Sequence, residues 1–128
     1  MRHPARPLIA LFATVTLSLG GVVLADKPAL AQTQAESDAA LADLAEILGA
    51  LAHLEVVCGD EERSRDDMER VLASETLTEL RRAVLIDAFN RGFRGVASTH
   101  RTCTTTSERL IARHHDRGAT IIDGLLEP

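Results

Sequence analysis

Between Leu41 and Cys58 the apolar residues Leu41, Leu44, Ile47, Leu48, Leu51, Leu54 and Cys58 recur every three or four positions. At about 100° per residue they share one side of a helix. No segment of the chain alternates apolar and polar residues as a half-buried strand does, so the pattern predicts an all-α fold. Ser37 or Asp38 can cap this first helix, and Gly59 suits the left-handed position that commonly ends one.

Three further helices follow from the same periodicity. The second runs from Arg63 to Ala73 and carries Met68, Val71 and Leu72. The third runs from about Leu77 to Thr102. Its inner side holds Leu77, Val84, Leu85, Ala88, Gly92, Gly95, Val96 and Cys103, with Phe89 at the edge. Thr105 and Glu108 have the spacing of a capping box. The fourth helix behind them reaches Leu126, with Leu110, Ile111, His114, Gly118, Ile121, Ile122 and Leu125 inward. Four helices with short connections predict an up-down-up-down bundle over residues 38–128, after a polar, frayed N-terminus at 32–37. A chain of 128 residues, 45% hydrophobic and 26% charged, suits one globular domain. Its net charge of −5 weighs against a nucleic-acid binder.

The start of the chain reads as an address. Arg2, His3 and Arg6 precede an uncharged run from Leu8 to Ala25, and Ala29-Leu30-Ala31 follows. These are the parts of a secretory signal peptide over residues 1–31, cleaved after Ala31. The competing reading is an uncleaved anchor, because about eighteen apolar residues just span a bilayer. Cleavage implies a periplasmic or secreted protein with no membrane attachment. It also removes Arg2, Arg6, Lys27 and Asp26, leaving a more acidic chain whose cations, histidines aside, are all arginines.

Cys58 and Cys103 are the only cysteines. In an oxidising compartment two cysteines usually pair. Closing a loop of about 46 residues is worth about 4 kcal/mol in unfolded-state entropy. Neither a CxxC redox motif nor a CxxCH haem motif is present, so a structural disulfide is the expectation. It agrees with the bundle: alternate helices run parallel, so the ends of the first and third helices meet.

Several segments resemble a family of small exported proteins from alphaproteobacteria that carry a domain of unknown function. They are Glu46-Ile47-Leu48-Gly49-Ala50-Leu51, Cys58-Gly59, Arg65-Asp66-Asp67-Met68, the block Ala88 to Gly95 (with Phe-Asn-Arg-Gly-Phe-Arg inside it), and Arg101-Thr102-Cys103-Thr104. The resemblance implies an exported helical domain with a matched cysteine pair. It implies no activity, cofactor or partner. The family tends to have Trp where this chain has Ser64, and Tyr where it has His53, His100 and His114.

The residues offer few chemical candidates. Asp87, Arg91, Arg94 and Arg101 fall within about 80° on the third helix, opposite its apolar side. A stripe of guanidiniums suits an acidic envelope protein or a small anion. The plain alternative is internal pairing, beginning with Asp87 and Arg91 four residues apart. A small-molecule or metal-binding module using His100, His114 and His115 is the second reading. Its spacing is poor, because adjacent histidines cannot share a helix face and Cys103 is taken by the disulfide. Gly92 and Gly95 on an inner helix face imply close approach of another helix, against Gly49 or Gly118, or a small-ligand slot. Glu55 falls inside the apolar arc of the first helix, where an edge position paired with an arginine is expected. No nucleophile elbow, P-loop or His-Glu-x-x-His is present, so the expectation is a non-catalytic protein without a cofactor. A homodimer also fits the amphipathic helices.

Overall fold

The computed structural model describes residues 26–74 and 76–127. Among them are four helices and no strand: α1 (Asp26–Cys58), α2 (Arg63–Leu72), α3 (Glu79–Ala97) and α4 (Thr105–Leu126). Most of the expected leader, residues 1–25, lies outside the described residues. No described helix is long and apolar enough to cross a membrane.

Helix α1 is the axis of the molecule. At 33 residues it is about 50 Å long, and the other three helices all pack on it, α3 most extensively. This explains why its apolar residues do not stop at one face. Leu44, Leu48, Leu51 and Leu54 are buried, and so are Ala45, Ala50 and Ala52 between them. A helix with neighbours on three sides must be apolar nearly all round. The one-sided reading of Leu41 to Cys58 is therefore too narrow. The helix also starts earlier than expected: residues 32–37 continue it instead of fraying.

Contacts along α1 fix the directions. Asp38 pairs with Arg81, Glu46 with Arg91, and His53 Nε2 donates to the His100 carbonyl at 2.7 Å. Both numbers in these pairs rise together, so α1 and α3 run parallel. Asp43 pairs with Arg117, far along α4 from the end that lies beside Cys58, so α4 runs back. Helix α2 also runs back, from Glu55 at its start towards Arg82, which donates to the Leu72 carbonyl at its end. The result is the up-down-up-down bundle. Cys58 and Cys103 are bonded at the disulfide end, with Cα atoms 4.7 Å apart.

Two further boundaries differ from expectation, at the end of α3 and at the start of α4. Helix α3 stops at Ala97, so Cys103 lies in the loop before α4 and not at a helix end. The cap of α4 is Thr104, not Thr105. Its Oγ1 accepts from the Ser107 N–H at 3.2 Å. The Ser107 side chain is fully buried and 3.1 Å from both Thr104 Oγ1 and His100 Nδ1. A buried serine in the third helical position replaces the glutamate of a capping box.

The glycines separate by function. A Cβ on Gly92 would lie 2.8 Å from the Glu46 carbonyl carbon, and one on Gly49 would lie 2.8 Å from that of Phe89. At these two positions the backbones of α1 and α3 touch, as expected for close approach. Gly95, also expected inward, has nothing within 4 Å of where its Cβ would be. Val84 is 49% exposed and Ile122 44% exposed, because α3 and α4 each bury only the narrow stripe that faces α1.

Candidate functional site

The arginine stripe is only partly a stripe. Arg91 lies on α3 and donates to Asp87 at 2.6 Å and to Glu46 of α1 at 3.2 Å. The Glu46 hydrogen bond raises its already high pKa further. Arg94 is exposed on the same helix. Arg101 is exposed as well, but it sits in the loop beyond Ala97 and so does not share the helical face assigned to it.

The distribution of ion pairs singles out one region. Arg63, Arg65, Arg70, Arg81, Arg82, Arg91 and Arg117 each have a carboxylate partner. Among the described residues Arg94, Arg101, Arg109 and Arg113 have none, and all four are exposed. They fall between the last turn of α3 and the third turn of α4. Along the helix axes that span lies within about 12 Å of the disulfide end. Arg109 and Arg113 escaped the sequence reading, although their spacing of four residues is the signal of a shared α4 face.

The histidines do not converge. The His100 ring is engaged with Ser107 at the cap of α4, and the His53 ring packs edge-on against Phe93 with centroids 5.2 Å apart. Both act as structural groups. His114 and His115 lie more than two turns into α4, away from His100. Burial lowers the His114 pKa below the ordinary histidine value, with the charges of Arg113, Arg117 and His115 acting in the same direction. Among the described residues no three His, Cys, Asp or Glu side chains are grouped to hold a metal ion.

Glu55 is buried at 4% exposure, but not as an edge residue paired with an arginine. Its carboxylate accepts from the Ser64 N–H at 3.1 Å and from the Ser64 hydroxyl at 2.6 Å. Ser64 stands in the first turn of α2, and Glu62 just before that helix makes no side-chain cap. Glu55 thus caps α2 from α1, placing a negative charge at the positive end of the helix dipole.

One concavity gathers charged groups from three elements. It lies between α3 and α4 over α1, has a volume of about 230 Å³, and brings Asp43, Glu46, Arg91 and Arg117 around Gly95 and His114. Asp43 and Arg117 are 3.4 Å apart across one side, and Glu46 and Arg91 are 3.2 Å apart across the other. A second cleft, between α2 and α4, is largely apolar and carries His114, His115 and the exposed Ile122.

Neither a curated protein nor a solved structure matches the chain. Residues 37–127 match the family described as protein of unknown function (DUF2385), a span that takes in the disulfide, α2, α3 and α4 whole and the packed part of α1. The chain belongs to that family.

Proposed function

We propose that this chain is an exported, non-catalytic binding module that takes an acidic envelope partner at the disulfide end of its bundle. Arg94 and Arg101 are the principal contacts, with Arg109 and Arg113 beside them in sequence on α4. The observation that carries this reading is the uneven pairing of arginines. A chain with net charge −5 has carboxylates to spare, yet these four exposed guanidiniums have no carboxylate partner among the described residues. An unpaired guanidinium presents a planar fork of donors that matches a carboxylate or phosphate. Arg91, the third arginine of the sequence reading, already spends its donors on Asp87 and Glu46. It belongs to the margin of the surface.

Export rests on the leader pattern of residues 1–31, which also favours the periplasm. The test is crosslinking capture from an envelope extract, comparing the native chain with an Arg94→Glu/Arg101→Glu variant. The expected result is a discrete crosslinked species that the variant loses while its unfolding midpoint stays unchanged. A species captured equally well by the variant refutes the assignment.

A further inference from the structure

We infer that the chain forms a two-fold dimer in which the α4 helices of two copies pack antiparallel through the outer side of each. Helix α4 seats on α1, and beside that seat it carries a second apolar stripe. Ala112, His115, Ala119, Ile122 and Leu126 recur at alternating steps of three and four, the spacing by which two helices interlock. All five are exposed, Leu126 at 77%. His115, Ala119 and Ile122 border the apolar cleft between α2 and α4, so the stripe has open space beside it. The charges flanking the stripe name its occupant.

Along the edge of the stripe turned away from α1, Arg109 and Arg113 stand on the N-terminal half and Asp123 and Glu127 on the C-terminal half. Among the described residues none of these four has an ion-pair partner. A parallel pairing of two copies would set each charge against itself. An antiparallel pairing sets Arg113 opposite Asp123 of the second copy and Arg109 opposite Glu127 of the second copy, both pairs centred on residue 118. The apolar layers share that centre to within one residue. Ala112 against Ile122 and His115 against Ala119 are both centred on residue 117, about 1.5 Å away along the axis. Asp116 is the exception, because it lies near the two-fold axis and faces its own copy, a single like-charge contact against unlike pairs on both sides. The end of α4 points to the same occupant. Its last turn holds no basic residue, although Asp123 and Glu127 stand at the negative end of the helix dipole. Arg113 and Arg109 of the second copy supply the missing cations.

The dimer goes beyond the partner surface proposed above: it takes Arg109 and Arg113 from the margin of that surface and leaves Arg94 and Arg101 to it. The experiment is sedimentation equilibrium of the oxidised chain at pH 7.5, from micromolar to millimolar concentration. A dimer that weakens as salt rises is expected. Arg109→Glu/Arg113→Glu should raise its dissociation constant by more than about tenfold, because like charges then face each other at both ends. Adding Asp123→Arg/Glu127→Arg to the same chain should restore the dimer, an outcome that no role of these side chains within a single copy predicts. Ile122→Asn should weaken it by removing an apolar layer on each side of the axis. Arg94→Glu/Arg101→Glu should leave it intact, so loss of the dimer and loss of the envelope partner are separate results. Circular dichroism at 222 nm checks that each variant keeps its helices. The inference is overturned by a chain that stays monomeric, which leaves the stripe to a different partner. It is overturned equally by a dimer indifferent to Arg109→Glu/Arg113→Glu, or by a helical fourfold variant that fails to associate.

Discussion

Alanine at Gly92 and alanine at Gly95 should change stability in opposite directions, although both replace a glycine on the same helix three residues apart. In an exposed helical position the change from Gly to Ala gains about 1 kcal/mol of helix propensity. Gly95 meets nothing within 4 Å and should keep that gain. Gly92 should not. Its new Cβ would stand 2.8 Å from the Glu46 carbonyl carbon and 3.1 Å from the Ala50 nitrogen, against a comfortable carbon–carbon separation of about 3.5–4.0 Å. The obstructing atoms are backbone in the middle of α1, so no rotamer change relieves the contact. The nearest of them is the Glu46 carbonyl oxygen, which the new Cβ would overlap, so helices α1 and α3 must separate by more than about 1 Å, a gap that forfeits about half of the dispersion well for each atom pair along the seam.

Overpacking of this kind costs about 1–3 kcal/mol, and a backbone obstacle places Gly92 at the upper end. After the propensity gain, Gly92→Ala should lose about 2 kcal/mol, or about 8–16 °C in melting temperature, while Gly95→Ala gains about 4–8 °C. Urea unfolding of the oxidised protein, followed by circular dichroism at 222 nm, measures both. Gly49→Ala meets the Phe89 backbone in the same way and should resemble Gly92→Ala. The double variant should cost less than the sum, because one separation of the helices makes room for both methyl groups. A Gly92→Ala protein as stable as the native chain would refute the close-approach account of this seam.

Other expectations follow from the caps, the disulfide and the groove. Glu55→Ala strands the Ser64 N–H and hydroxyl in a buried site and should cost about 1–3 kcal/mol in urea midpoint measurements, whereas Glu62→Ala, which removes no cap bond, should be nearly silent. Cys58→Ser/Cys103→Ser should lose about 4 kcal/mol, with the fastest increase in amide hydrogen exchange between residues 98 and 104. The His114 pKa is lowered on folding, so the unfolded chain binds its proton more readily. The stability this histidine contributes is full above about pH 6.5 and falls as the pH drops through that value. A His114→Gln variant should therefore show a flatter stability profile between about pH 7.5 and 5.5, and an unchanged slope would remove the assignment.

The all-α class, the helix order and the cysteine pair were legible because each depends on local periodicity or on simple counting. Leu44, Leu48, Leu51 and Leu54 mark a buried face at helical spacing whatever packs against it. The boundaries were less legible where a cap competes with the periodic pattern. Thr102, Thr104, Thr105 and Thr106 all favour a cap, and the choice of Thr104 depends on burying Ser107 against His100 from the preceding loop. Glu55 departs from expectation for a related reason. A carboxylate in an apolar arc needs a partner, and a pattern confined to one helix suggests an arginine. Its partner is the start of the next helix, which only the α1–α2 turn brings within reach.

The charged sites depend in the same way on contacts between helices. Seven residues separate Arg94 from Arg101, and an uninterrupted helix would place them on one face. The helix ends between them, and what unites them is the absence of a carboxylate partner. Absence of a partner is a property of register. Arg91 finds Glu46 across 45 positions, and Arg117 finds Asp43 across 74. Both pairings follow from the parallel seat of α3 and the antiparallel seat of α4 on α1. The glycine contact at Gly49 and Gly92 sets the first of these seats, and so also sets which arginines are left unpaired. A change that separates α1 from α3 should therefore weaken the Glu46–Arg91 pair and release a guanidinium into the groove.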